Sequence, residues 1–541
     1  MNNSIYNFKL PDNEPVLGYL PGSAERVELE TELERQSNTK IEIPLIIGGK
    51  KIFTGNTGKV VMPHNHSHTL AIYHKAGEKE IKMAIDAALS AHSDWNSQHW
   101  TTRASIMLKI AELITVKYRA KLNAATMLGQ SKNIYQSEID AVCETADFLR
   151  FNVSFASEVY KTQPLSSFNQ LNRMEYRALE GVVFAVSPFN FTSIASNLNM
   201  APVMMGNTTF WKPATTSLLS NYYLMEIFME AGVPAGVVNF VPGSGALIGS
   251  ILTSAKDLAG IHFTGSNSTF NTLWRSVANN LENYKSYPRL VGETGGKDFV
   301  FVHPSANPEE VAAGAFSGAF EYQGQKCSAA SRMYVPESLW NEIKIRMVEL
   351  SNSVKMGDPR DSSNFINAVI DESSFDNIVS YIEYAKNSEK AELVFGGSYD
   401  KSKGYFISPT MFKTTDPNFK TMEEEIFGPV LTAYVYKDSE VDKALELCDS
   451  TSPYGLTGAI FGRDRMEVVK ACSRLQYAAG NFYINDKPTG AVVGKQPFGG
   501  SRGSGTNDKA GGEFNLIRWV SPRTVKETFI PPKDILYEYM K

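Results

Sequence analysis

The chain of 541 residues is 43% apolar and carries 53 Lys and Arg against 58 Asp and Glu, a formal net charge of −5. Such a length divides into about 3 or 4 domains with a large core, and the lack of a basic excess excludes the surface that nucleic acid or an anionic membrane needs. No uninterrupted apolar run nears the roughly 20 residues of a membrane span, which leaves small-molecule chemistry or protein contacts.

Cys143, Cys327, Cys448 and Cys472 are too widely spread for a zinc ribbon or a disulfide scaffold, which fits a reducing compartment. In residues 1–25 the single basic side chain is Lys9, beside Asp12, Glu14 and Glu25, unlike a signal or transit peptide. The expectation is a cytoplasmic protein, or a mitochondrial-matrix one if the chain is a processed form.

In chain order, "PHNHSHTL" (63–70) puts His64, His66 and His68 on one side of an extended segment. With no carboxylate or cysteine at ligand spacing nearby, they read as edge-strand histidines, and no metal is expected. Residues 79–160 read as helices, with Ile81, Ala84, Ala88 and Ala91 three and four apart. From about 180, the short apolar runs "GVVFAV", "NTTFWK", "GVVNFV", "LAGIHF" and "RLVGE" alternate with helical stretches such as "SLLSNYYLMEIFMEAG". This alternation predicts an α/β fold with a parallel, doubly wound sheet that binds ligands at the carboxyl ends of its strands. The unusual residues follow those runs: "SPFNF" (187–191), "KPA" (212–214), "PGSGALIG" (242–249), "TGSNS" (264–268) and "ETGGKD" (293–298). A second α/β unit runs from near 300 to about 505, and the tail "SPRTVKETFI" (521–530) alternates like an edge strand with no evident partner.

Cys327 sits in "EYQGQKCSAA" (321–330), and a lone cysteine is usually a small buried hydrophobe. Here a glycine-flanked loop ahead of small residues predicts a sulfur near a helix N-terminus, where backbone N–H groups favour thiolate and an oxyanion. Glu293 reads either as a solvated strand-end carboxylate or as a base that a bound molecule approaches past the following glycines. Asn190 either caps the next helix or offers its amide to an oxyanion. Lys212 is either solvated or a donor to ligand hydroxyls, and the glycines at 243, 245 and 249 suit a diphosphate at a helix start.

Taken together and in order, "SPFNF", "FWKPA", "FTGS", "GETGGKD", "GQKCSA", "EEIFGPVL" and "QPFGGSRGSGTNDKAGG" resemble the aldehyde dehydrogenase superfamily over essentially the whole chain. Within it, "GQKCSAASRMYVPESLW", "VGKQPFGGSRGSGTNDKAGG" and "EIPLIIGGKKIFTGNTGKVVMPHNHSHTL" are similar to the delta-1-pyrroline-5-carboxylate, or glutamate semialdehyde, dehydrogenases of proline breakdown. The resemblance implies a Rossmann-type NAD domain (1–162 and 181–290), a catalytic domain (291–505) and a β-arm for oligomerisation (163–180 and 506–541). The arm would combine a hairpin near "FNQLNRMEYRALEG" with the C-terminal strand, making at least a dimer.

The resemblance further implies Cys327 as nucleophile, Glu293 as base, and Asn190 with the Cys327 N–H as oxyanion hole. NAD would be held by Ser187, Pro188, Phe189, Lys212, Pro213, Gly243, Gly265, Ser266, Glu425 and Phe427, and the aldehyde by Phe191, Ser328, Thr489, Gly490, Ala491 and Phe498. Two positions depart from the family: Thr215 stands where many NAD-preferring members place a glutamate, and Ala491 where this group commonly has serine. The competing expectations are another semialdehyde substrate, or a non-catalytic binding protein on the same fold.

Overall fold

A computed structural model of the chain describes Tyr6 and residues 8–541. Two seven-stranded sheets dominate it. In the first, the spatial order is Arg289–Glu293, Leu258–Thr264, Val182–Val186, Thr208–Lys212, Val238–Phe240, Leu45–Ile47 and Lys50–Ile52. The first five are mutually parallel, and the last two add an antiparallel hairpin at the edge. The order reverses between Val182–Val186 and Leu258–Thr264, which opens a crevice at the carboxyl ends of the strands.

Alternation within the strands explains why the runs read as continuously apolar. Val182, Phe184, Phe210 and Leu290 face one core. Val183, Trp211 and Val291 face the other, built on the N-terminal helices. A parallel sheet buried on both faces favours apolar residues along the whole strand, and polar exceptions such as Thr208, Thr209, Asn239 and His262 are themselves buried. Gly181, entering the first strand at φ +138°, is required there, since a Cβ would lie 2.1 Å from the Asp257 carbonyl oxygen.

The second sheet runs Ala391–Phe395, Thr410–Thr414, Val430–Tyr436, Ala330–Pro336, Asp298–Val302, Thr457–Phe461 and Asn481–Ile484. It is parallel except for its first strand. Phe299 and Phe301 pack on one side, and Val300 and Val302 on the other.

The tail does have a strand partner in its own chain. Val520–Thr528 pairs antiparallel with Gln170–Ala178 in unbroken register, from Val520 opposite Ala178 to Thr528 opposite Gln170. The partner is 342 or more residues away in sequence, so no local pattern announces it. The segment 506–519 stays out of this ribbon: Leu516 and Trp519 are fully buried in the core of the first unit, and the ribbon starts at Val520 rather than 506. His66 Nε2 meets the Lys401 carbonyl at 2.9 Å and His68 Nε2 the Ser37 carbonyl at 2.8 Å, while His64 is buried 3.6 Å from Asp358. Among the described residues no cluster of three or more His, Cys, Asp or Glu is placed to hold a metal, and no helix is long and apolar enough to cross a membrane.

Candidate active site

The loop carrying Cys327 begins with three consecutive left-handed residues, Tyr322, Gln323 and Gly324, at φ 53°, 55° and 65°. The buried Gln323 amide fixes this turn: Nε2 donates to the carbonyls of Ser131 (3.2 Å) and Ala368 (2.9 Å), and Oε1 accepts from Asn367 N (3.0 Å). Gln325 Oε1 accepts from Ile370 N at 2.8 Å. The chain then makes a tight turn, Ala329 N to Lys326 O at 3.1 Å, and enters the strand Ala330–Pro336.

Cys327 therefore precedes a strand and not a helix, contrary to the reading of "CSAAS". The Cys327 backbone is closely approached from the facing loop: a Cβ on Gly296 would lie 2.3 Å from the Cys327 carbonyl oxygen. The expected thiolate-favouring surroundings are also absent. Burial first, and then the carboxylates of Glu293, Asp298 and Glu425, push the thiol well above its usual range. The backbone N–H of Cys327, directed at its own sulfur, works the other way.

Glu293 ends the edge strand of the first sheet, where its carbonyl accepts from Gly265 N at 3.2 Å. Its carboxyl is raised to about 8 by burial, with Asp508 and Glu144 adding to the effect and the Lys509 ammonium opposing it. Glu293 Oε1 is buried without a hydrogen-bond partner among the described residues. Lys509 Nζ is drawn to the carbonyls of Gly480 (2.8 Å) and Gly499 (3.0 Å), so it biases the carboxyl without a recorded hydrogen bond to it.

Asn190 is 3% exposed, and its Nδ2 donates one N–H to the Gln325 carbonyl at 3.0 Å. It does not cap the helix Thr192–Met204. That helix starts on the Asp140 carboxylate, which accepts from Thr192 N (3.0 Å) and Ser193 N (2.9 Å) and holds Lys132 Nζ at 2.5 Å. Asn190 is thus fixed on the Cys327 loop through one N–H and keeps a second amide N–H that the Gln325 carbonyl does not take.

On the other side of the thiol lie the carboxyl ends of the first sheet. Ser187 N donates to the Lys212 carbonyl at 3.2 Å, and Ser187 Oγ accepts from Trp211 Nε1 at 3.0 Å. The Phe189 and Phe427 rings meet edge to face at 5.8 Å. Glu425 accepts from Gly296 N at 2.9 Å, and burial raises its carboxyl to about 7. Burial lowers the Lys212 ammonium, whose Nζ has no hydrogen-bond or ion-pair partner among the described residues. Two helices open beside this strand end. Gly245–Ser254 is capped by Ser244, and Asn267–Ala278 by Ser266, whose Oγ accepts from Thr269 N at 3.3 Å. A Cβ on Gly245 would sit 3.9 Å from Lys212 Cε. Pro188 and Pro213 follow the carboxyl ends of the strands Val182–Val186 and Thr208–Lys212, and Gly243 and Gly265 precede the two capped helices. A lysine beside the N-terminus of Gly245–Ser254, at the carboxyl end of a strand whose sheet also leads into the Ser266-capped helix, fits a dinucleotide's sugar hydroxyls and diphosphate.

A cavity of about 520 Å³ holds Cys327 and Glu293 and is lined by all six residues expected to receive the aldehyde. Phe191 and Phe498 are among its walls, and Ser328 Oγ meets Thr489 Oγ1 at 2.8 Å beside Gly490, at φ 96°, and Ala491. Several charged groups there were missed from sequence. Lys132 Nζ lies 4.3 Å from the Phe191 ring centre and 4.6 Å from that of Tyr322. Glu321 bridges Lys326 (2.9 Å) and Lys487 (2.8 Å); although burial opposes it, those ammonium groups hold its carboxyl down to about 2. Asn13 and Glu14 also reach the cavity from the N-terminal segment. Lys326 and Lys487 adjoin recognisable motifs, whereas Lys132 and Asn13 lie in stretches with no local signal.

The sequence profile of the aldehyde dehydrogenase family matches residues 53–525. The chain is 51% identical, over 99% of its length and 96% of the relative's, to the mitochondrial delta-1-pyrroline-5-carboxylate dehydrogenase of Dictyostelium discoideum. It is 47% identical to the mitochondrial enzyme of that name from Homo sapiens, over 98% and 94% of the two chains. The crystal structure of the Mycobacterium tuberculosis delta-pyrroline-5-carboxylate dehydrogenase bound with NAD superposes with a TM-score of 0.96 at 46% identity, covering 100% of both chains.

Proposed function

The chain belongs to the aldehyde dehydrogenase family, and from that premise we infer that Cys327, Glu293 and Asn190 carry its reaction, the NAD-dependent oxidation of L-glutamate γ-semialdehyde to L-glutamate in proline breakdown. The observation that carries this reading is one cavity holding a cysteine, an orphaned carboxyl and a polar loop suited to a substrate carboxylate.

Once its thiol proton has passed through water to ionised Glu293 and on to solvent, Cys327 adds through Sγ to the aldehyde carbon, and the oxygen that becomes an oxyanion rests between Asn190 Nδ2 and the Cys327 N–H. Because the Gln325 carbonyl already fixes the Asn190 amide, these donors need no rearrangement as charge develops. Bound NAD supplies the acceptor for the hydride that the aldehyde carbon gives up. Lys212, Ser266 and the backbone after Gly243 would hold its ribose and diphosphate, and Glu425, Phe427 and Phe189 its nicotinamide side. The acyl group is then a thioester on Cys327. Glu293, in its ionised form, takes a proton from water as that water attacks, and glutamate leaves. With Thr215 in place of a carboxylate, discrimination against NADP is loose.

The α-carboxylate of the substrate meets Ser328, Thr489 and the backbone N–H groups of Gly490 and Ala491, while Phe191 and Phe498 flank its chain. A simple alkanal leaves those donors unpaired, a loss of about 1–3 kcal/mol for each group. Initial NADH formation with a panel of aldehydes tests the reading: kcat/KM for glutamate semialdehyde should exceed that for butanal by at least about 100-fold. Equal efficiencies, with no inhibition by glutamate, would remove the substrate assignment, and no NADH with any aldehyde would favour a binding protein on this fold.

Self-association through the ribbon completes the proposal. A two-stranded ribbon is marginal by itself; this one keeps open edges and displays Leu165, Phe168, Phe529 and Ile530 to solvent. A second copy of the chain covers both. In this division the first sheet with the N-terminal helices is the NAD domain, the second sheet the catalytic domain, and 163–180 with 520–541 the arm. The compartment follows the relatives' mitochondrial names if the chain is processed, and is cytoplasmic otherwise, which cell fractionation decides.

A further inference from the structure

We propose that the extended N-terminal segment 13–19 is a substrate-selecting strap, in which Asn13 is the positioning residue that sets the loop receiving the far end of the aldehyde. The proposal rests on the glutamate semialdehyde reading above.

This segment belongs to no helix or strand, yet several of its polar groups are tied to the surrounding helices. Glu14 N donates to Asp147 Oδ1 at 2.7 Å, and the Glu14 carboxylate lies between Arg119 (2.8 Å) and Arg150 (2.7 Å). Leu17 N and the Tyr19 hydroxyl both donate to the fully buried Glu138, at 3.1 Å and 2.7 Å. Glu138 also takes the Arg119 guanidinium at 2.6 Å and Asn123 Nδ2 at 2.8 Å. An ordered strand would be held by a ladder; here side chains of the surrounding helices replace it. That many charge-assisted bonds exceed what anchoring a solvent-facing tail requires.

In this register Asn13, Glu14 and Val16 form part of the wall of the cavity that contains Cys327. Asn13 is the point where the strap meets the substrate loop. Its Nδ2 divides two N–H groups between Asp147 Oδ2 at 2.8 Å and the Val493 carbonyl at 2.9 Å. Val493 lies two residues beyond Ala491, on a loop without regular structure, and its side chain packs on Phe148 and Phe151. The loop's other end is closed locally, where Lys495 N donates to the Val492 carbonyl at 2.9 Å. Asn13 thus hooks the backbone that follows Thr489, Gly490 and Ala491 onto the helix Thr145–Lys161. Releasing the hook moves donors that only a substrate with a remote carboxylate uses, and leaves Cys327, Glu293 and Asn190 in place. Misplacement by about 1 Å is enough to lose such contacts.

The test compares Asn13→Ala and Asn13→Asp with wild type in the full-length NAD enzyme. The readouts are initial rates with glutamate semialdehyde and with butanal, inhibition by glutamate, NAD affinity and Tm. Asn13→Ala should raise KM for glutamate semialdehyde and Ki for glutamate together, about tenfold, with kcat, NAD affinity and butanal kcat/KM within twofold. Asn13→Asp, which sets a carboxylate against Asp147 and the Val493 carbonyl, should raise the same two constants further. Unchanged KM and Ki in both variants would overturn the strap, as would equal losses with both aldehydes, the mark of a purely structural role. Wild type without preference for glutamate semialdehyde over butanal would instead remove the underlying reading, and that result appears before any variant is compared.

Discussion

The sharpest consequence of the site's electrostatics concerns Glu293. Burial raises this carboxyl to about 8, whereas an ordinary glutamate titrates near 4.3. Only the ionised form can take a proton from the water that attacks the thioester, and at pH 7 a group with a midpoint of about 8 is ionised in about one molecule in ten. Steady-state turnover under deacylation control should therefore climb about tenfold from pH 7 to a plateau above about pH 9; an unperturbed base would be flat over that range. The assay is stopped-flow NADH formation from pH 6 to 9.5, where a burst of one NADH per site identifies the pH range in which deacylation limits. Glu293→Gln should keep the burst, lose about 10²- to 10⁴-fold in the following rate, and lose the limb near 8. Lys509→Met removes the ammonium that holds the carboxyl down, so its limb should move to higher pH. A flat wild-type profile in the burst regime, or a limb that survives in Glu293→Gln, would refute the reasoning.

Cys327→Ala should abolish NADH formation while NAD titration remains as in wild type; near-normal turnover would end the nucleophile assignment. Asn190→Ala should slow the burst by about 10²- to 10³-fold, the cost of one oxyanion donor, with little effect on Tm. Ala491→Ser adds a hydroxyl donor beside the anchoring loop and should tighten glutamate inhibition by about threefold to tenfold, the worth of one neutral hydrogen bond. Removing residues 520–541 should lower the sedimenting mass, because the strand Val520–Thr528 supplies half of the ribbon; an unchanged mass would count against the arm.

The five parallel strands of the first sheet were legible to within two residues because a sheet covered on both faces gives mainly apolar runs, most of them bounded by glycine or proline, whereas its edge hairpin of Leu45–Ile47 and Lys50–Ile52 was not read as strands. Motif residues were legible for a related reason: Asn190, Lys212, Ser266 and Glu293 all lie at or just beyond carboxyl ends of those strands. What stayed hidden depends on pairs distant in sequence. The partner of Val520–Thr528 is Gln170–Ala178, the partner of Asn13 is Val493, and Asp140 starts the helix that Asn190 was a candidate to cap. The surroundings of Cys327 were misread because small residues after a glycine loop suit a helix start and a tightly packed strand equally. Only the tertiary fold decides between them, by bringing three carboxyl groups around the sulfur.

That crowding separates the roles of the site's groups. Burial moves Glu293 to about 8 and Glu425 to about 7 and pushes the Cys327 thiol itself up, so these groups all shift toward their neutral forms. Groups poised this way respond to pH and to each other, and none provides a constant field at the reacting carbon. The Asn190 amide and the Cys327 N–H do, because a fixed dipole needs no proton to be gained or lost. Asn190→Ala should therefore lower the burst rate by one factor at every pH from 6 to 9.5, displacing the profile without changing its shape. A loss that grew or faded with pH would show that the amide acts by shifting the ionisation of Cys327 or Glu293, and the oxyanion-hole assignment would fail.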